Sequence, residues 1–144
     1  MKEIRFKADP KTPYCLHDCT VNSMTLKEGN LKLEFEDGIM SLSCAEGSEV
    51  IGNLVAEDLD ESFCKVILQG RGGTMGEFRG EKLTLSEFIE KHKDFGFEII
   101  DEYYGWQRLQ FAGWLWEKDN KPLDMTLSLG YFKGDLVYNV EKIN

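Results

Sequence analysis

Hydrophobic and polar residues alternate with period two along much of the chain, which predicts strands in preference to helices. Leu31, Leu33 and Phe35 interleave with Lys32, Glu34 and Glu36, as in a strand buried on one face. Asp37-Gly38 follows, a pair suited to the positive φ angles of a two-residue hairpin turn. Such a turn pairs Phe35 with Met40, Leu33 with Leu42 and Leu31 with Cys44. Met40, Leu42 and Cys44 then join the apolar face, and Ile39, Ser41 and Ser43 point away from it. Upstream, a loop from Lys27 to Asn30 pairs Leu26 with Leu31 and Met24 with Leu33. A first meander is therefore predicted from about Cys19 to Cys44.

A second meander is predicted from about Trp106 to Val140. A turn at Asp119-Asn120 sets Trp116 against Leu123, Trp114 against Met125 and Ala112 against Leu127. A turn at Lys133-Gly134 sets Tyr131 against Leu136, Leu129 against Tyr138 and Leu127 against Val140. Pro122, with no N–H to donate, fits a strand start or an edge. Ile4 and Phe6 mark a short N-terminal strand, residues 48–56 and 62–69 two more, and Phe97 to Tyr103 another. The Gly-rich run 70–76 reads as a loop.

One main helix is predicted near 84–94. Thr84 and Glu87 form a capping-box pattern, and Leu85, Phe88 and Ile89 share one face. Lys91, His92 and Lys93 suit the negative end of the helix dipole, and Gly96 is a natural stop. The fold class is thus α+β and mostly antiparallel β, with about nine strands in meanders. Long antiparallel stretches imply two packed sheets or a partly closed barrel. At 144 residues, residues 1–144 form a single β-rich domain.

Composition narrows the class. A hydrophobic content of 42% with 12% aromatics belongs to a globular domain. No apolar run approaches the roughly 18 residues of a membrane helix, and the charged stretch from Met1 to Lys7 lacks the apolar core of a signal peptide. A cytoplasmic protein without membrane association is expected. The net charge of −9, with Lys and Arg scattered, argues against nucleic acid and is compatible with a partner protein of basic surface. Cys15, Cys19, Cys44 and Cys64 are expected as reduced thiols.

Cys15-Leu16-His17-Asp18-Cys19 is the densest chemical cluster. Two thiols and an imidazole are three potential zinc ligands. In the predicted register, however, Cys44 lies beside Leu26, roughly 20 Å or more from Cys19 at about 3.3 Å per residue. No metal site is expected, and local hydrogen bonding by His17 and Asp18 is. A Cys–His nucleophile lacks an orienting carboxylate, because Asp18 falls on the opposite strand face. The Gly-rich run offers Arg71 and bare N–H groups to an anion but lacks the lysine and hydroxyl of a phosphate loop. No cofactor is expected.

The strand entering the second meander carries the candidate site. Trp106, Arg108, Gln110, Ala112, Trp114 and Trp116 fall on one alternation, polar at the Arg108 end and apolar at the other. Tyr131 and Tyr138 lie beside it by register, and Glu102 or Asp101 is a candidate partner for the guanidinium. A face of this kind resembles a ligand cleft. Trp106, Arg108, Gln110, Tyr131, Tyr138 and Glu102 are therefore the predicted ligand- or partner-binding residues, and no catalytic residue is assigned.

The run Leu16-His17-Asp18-Cys19-Thr20-Val21, followed by Leu31, Leu33, Phe35 and Asp37-Gly38, resembles small uncharacterised proteins of intestinal Gram-positive bacteria. That resemblance implies no activity. In acidic charge and size the chain is also similar to immunity proteins that neutralise secreted bacterial toxins, a likeness of class without a shared motif. The leading functional expectation is a non-catalytic cytoplasmic binding module for a protein or small-molecule ligand, of which an immunity-type inhibitor of a basic protein is one form. One rival is a small enzyme centred on Arg108 with Glu102 or Asp101, which needs a carboxylate of perturbed pKa in a water-poor cleft. Another is a structural subunit that forms a homodimer through an exposed sheet edge.

Overall fold

The computed structural model describes residues 2–7, 12, 14–36, 39–41, 49–70 and 80–142. Its strands are β1 (Lys2–Phe6), β2 (Tyr14–Cys15), β3 (Thr20–Lys27), β4 (Asn30–Phe35), β5 (Ile39–Ser41), β6 (Glu49–Ala56), β7 (Cys64–Gln69), β8 (Gly80–Leu83), β9 (Phe95–Gly105), β10 (Arg108–Glu117), β11 (Leu123–Gly130) and β12 (Leu136–Lys142). A 3₁₀ turn, Glu61–Phe63, precedes β7, and the helix α1 spans Leu85–Lys91.

The domain is mostly antiparallel β with a single described helix, as the alternation predicts. Of the two expected arrangements, two packed sheets are not formed: there is one sheet that does not close, ordered β1-β12-β6-β4-β3-β9-β10-β11-β7-β8, with β5 attached beside β6 and β2 beside β5. The sheet curls. Helix α1 touches β3 on one side of the β9–β11 meander and β7 and β8 on the other. Leu85 and Phe88 of α1 are fully buried with Phe97, Phe111 and Leu127 of the concave face. Each such side chain contributes roughly 1.5–3 kcal/mol through removal from water.

The helix starts as predicted. Thr84 Oγ1 accepts from the Glu87 N–H at 3.1 Å, and the Glu87 carboxylate accepts from the Thr84 N–H at 3.0 Å. It ends sooner than expected, at Lys91, with His92 as the cap. Gly96 lies within β9, opposite Trp116, and stops nothing.

The β3–β4 register is the predicted one, with Leu26 opposite Leu31 and Met24 opposite Leu33. The next pairing differs. Strand β4 takes β6 as its neighbour, with Leu33 opposite Leu54, while β5 pairs with β2 and β6. Leu33 and Phe35 face inward as expected, but Ile39, expected to point away, is fully buried. Asp37-Gly38, Leu42, Cys44 and most of the Gly-rich run (71–79) lie outside the described residues.

Two corrections fall in the second meander. The β10–β11 hairpin pairs Leu109 with Leu129, Phe111 with Leu127 and Leu115 with Leu123, one residue from the predicted register. The turn is centred on Asp119, which takes a left-handed φ of 65°, with Asn120 N–H donating to the Glu117 carbonyl at 3.2 Å. A one-residue slip exchanges the two faces of a strand, so Leu109, Phe111 and Leu115 are buried and Arg108, Gln110 and Trp116 are exposed. Lys133-Gly134, moreover, does not form a hairpin turn. Phe132 is fully buried, and Lys133 and Gly134 donate to the carbonyls of Asp58 and Glu57. The chain crosses there, and β12 lies between β1 and β6, away from β11.

Candidate functional site

The residue pairs around Arg108 build a furrow on the outer face of the sheet. Arg108 opens β10 after a turn in which Gln107 takes a left-handed φ of 54°. Its cross-strand partners are Gly105 on β9 and Gly130 on β11. Directly opposed side chains normally fill the space between strands; here both are missing. One register step further, Tyr103, Gln110, Ser128 and Lys65 form a row across four strands. Phe63 from the 3₁₀ turn and Tyr131 stand as a wall, their rings edge to face at 5.1 Å. The resulting cleft has a volume of about 470 Å³.

The Arg108 guanidinium lies over the Tyr131 ring, 4.6 Å from its centroid, and donates to the Tyr131 hydroxyl. The cleft lining contains Lys65 and Arg108 and no Asp or Glu. This is a local reversal in a chain of net charge −9. Among the described residues six large hydrophobic side chains are exposed, and Phe63, Tyr103, Trp106 and Tyr131 of that set belong to this furrow or to the turn at its end. Trp106, at the turn, is 79% exposed.

The structure therefore gathers Arg108, Gln110 and Tyr131 along one cleft with Trp106 beside it, and separates them from Tyr138 and Glu102. Tyr138 is fully buried on β12, stacked on Phe6 and edge-on to Tyr14. Glu102 is on the inner face because β9 carries a bulge: Ala112 pairs with Asp101, but Gly113 pairs with Ile99, leaving Ile100 as the extra residue. Inward positions shift there from Phe97 and Ile99 to Glu102 and Tyr104. Arg108 and Glu102 thus occupy opposite faces. Asp101, exposed opposite Ala112, shares the outer face with Arg108 but lies four residues along β10 from it.

Glu102 instead accepts from three donors and ties β9 to the Cys15–Leu16 segment. One oxygen accepts from the Tyr104 hydroxyl at 2.8 Å and the Leu16 N–H at 3.0 Å; the other accepts the Cys15 thiol at 3.8 Å. Burial pushes the Tyr104 and Tyr138 phenols far above their ordinary pKa, and the Glu102 carboxylate adds to the shift. Both remain protonated. The Tyr138 hydroxyl meets no partner at ordinary hydrogen-bond geometry, although Thr12 and Tyr104 lie near enough to influence it.

The Cys15–Cys19 cluster is a docking turn. Asp18 takes a left-handed φ of 66°, its N–H donates to the Ile99 carbonyl at 2.8 Å, and the Ile99 N–H donates to the Cys19 carbonyl at 2.9 Å. His17 Nδ1 lies 2.6 Å from the Ile100 carbonyl oxygen, and His17 Nε2 is 3.4 Å from Asp18. Local bonding is expected of His17 and Asp18; only their contact with each other is local, and their hydrogen bonds reach β9 instead. Among the described residues, no three His, Cys, Asp or Glu side chains converge as metal ligands.

A second cleft, of about 550 Å³, was not legible in the sequence. Glu36, Asp94, Glu98 and Glu117 line it with Trp116 and Lys118. Its acids come from separate segments, so no local pattern announces it. Trp116 donates its indole N–H to Glu98 at 3.1 Å, and buried His92 holds Glu117 at 2.8 Å.

The fold and furrow define an open, curled antiparallel sheet with an aromatic, basic cleft on its outer face. No protein-family model, curated protein or solved structure matches the chain.

Proposed function

We propose that the chain is a non-catalytic binding module of the cytoplasm, that its ligand is a protein, and that the Arg108 furrow is its binding face. The observation that carries this reading is the gathering of Phe63, Tyr103, Trp106 and Tyr131, each at least half exposed, around a guanidinium with no carboxylate in the surrounding cleft. Trp, Tyr and Arg are the side chains that dominate protein interfaces when truncated. A small-molecule site encloses most of its ligand, whereas these rings stand open to solvent. An enzyme centred on Arg108 needs a carboxylate close to the guanidinium; Glu102 is on the other face, and Asp101, on the same face, is outside the cleft lining.

The test is capture of partners from the native cell by the full chain, by Arg108→Ala and by Gly105→Val. A Cβ at Gly105 meets nothing closer than Arg108 Cβ at 3.8 Å, so a side chain can start there and project into the furrow, and the melting temperature of Gly105→Val checks that the valine methyls are accommodated. One stoichiometric partner, retained by wild type and lost from both variants at unchanged melting temperature, is the expected result. The acidic cleft favours a second reading, in which a basic protein docks there as it would on an immunity-type inhibitor. Retention by Gly105→Val together with loss on Glu36→Gln/Asp94→Asn substitution selects that reading.

A further inference from the structure

Resting on the furrow as the binding face, we infer that its occupant is an extended acidic segment with carboxylates four residues apart. Charge sets the sign. Arg108 and Lys65 line the furrow without a carboxylate, and among the described residues neither forms an ion pair. Arg108 gives one N–H to Tyr131, and a guanidinium has five donors, two of which suit a carboxylate in parallel.

Spacing sets the length. Lys65 is level with Gln110 through Ser128, two strands away, and Arg108 is two residues along β10 from Gln110. With strands about 4.8 Å apart and about 3.3 Å per residue, the two cations are anchored about 12 Å apart. In an extended segment, side chains at i and i+4 share a face and span about 13 Å. The intervening i+2 side chain points to the same face, where Phe63 and Tyr131 offer an edge-to-face aromatic pair. An aromatic or aliphatic residue fits there.

The experiment uses the ¹⁵N-labelled full chain and three blocked peptides. The first carries Glu-Leu-Tyr-Leu-Glu between Gly-Ser flanks, the second replaces both Glu by Gln, and the third replaces both by Lys. The Glu peptide is expected to shift the backbone amides of Gly105, Arg108 and Gly130, with the Gln peptide at least tenfold weaker and the Lys peptide without effect. Arg108→Gln should weaken the Glu peptide about tenfold, and Gly105→Val should abolish its binding. Equal binding of the Glu and Gln peptides, or no shift at millimolar Glu peptide, overturns the acidic segment. Either of those results leaves the binding module standing if Gly105→Val still releases a captured partner. Binding of the Glu peptide that survives Gly105→Val overturns the furrow itself.

Discussion

His17 holds the residue that reverses β9: its Nδ1 lies 2.6 Å from the carbonyl oxygen of Ile100, the extra residue of the bulge. A bulge leaves its additional residue outside the ladder. The Leu16–Cys19 turn supplies the missing partner and so fixes which residues of β9 face inward beyond the bulge.

This contact makes stability pH-dependent. The Ile100 carbonyl, and then the Asp18 carboxylate, raise the His17 pKa above 6.5. A folded pKa above the unfolded one stabilises the fold fully below the unfolded value, and that stabilisation is lost as pH rises through the folded value. Wild type should therefore lose more stability than His17→Ala between pH 5.5 and pH 8. Urea denaturation of both proteins at both pH values checks this, and equal losses would refute it.

Glu102→Ala should destabilise the domain by about 2–6 kcal/mol, because it strands the Leu16 N–H and the Tyr104 hydroxyl at roughly 1–3 kcal/mol for each buried unsatisfied group. Glu102→Gln keeps an acceptor oxygen and should cost less than half as much. Chemical denaturation of the two variants measures the difference.

Ile39→Ala and Leu33→Ala should cost similar amounts, about 2–5 kcal/mol each, the range for deleting a buried aliphatic side chain. Ile39 is fully buried and Leu33 nearly so. An Ile39→Ala variant within about 0.5 kcal/mol of wild type, as for a surface substitution, would place Ile39 outside the core.

Arg108→Ala and Trp106→Ala should each change stability by less than about 0.5 kcal/mol, as exposed substitutions generally do. Thermal unfolding checks this. A large loss for Arg108→Ala would mean that the guanidinium supports the fold and is not held for a partner.

The chain's own pattern determined what depends on neighbours in sequence. Period-two alternation gave the strands, Thr84 and Glu87 the helix start, and the Lys27–Asn30 loop the β3–β4 register. Each rests on local backbone geometry, where a few residues suffice to set the outcome. The alternation also brought Arg108, Gln110 and Tyr131 together with Trp106 nearby, although from a register one residue away.

Only the tertiary structure decided the faces and the strand neighbours. A left-handed Asp119 moved the β10–β11 register by one residue and turned Leu109, Phe111 and Leu115 inward. The Ile100 bulge put Glu102 on the face opposite Arg108. Burial of Phe132 carried the chain past Glu57 and Asp58, so that Tyr138 lies on β12 beside β6, far from the furrow. Strand alternation has a period of two residues, so a single extra residue in a turn or bulge inverts it. Which strand lies next to which is settled by long-range burial, and no local spacing records that.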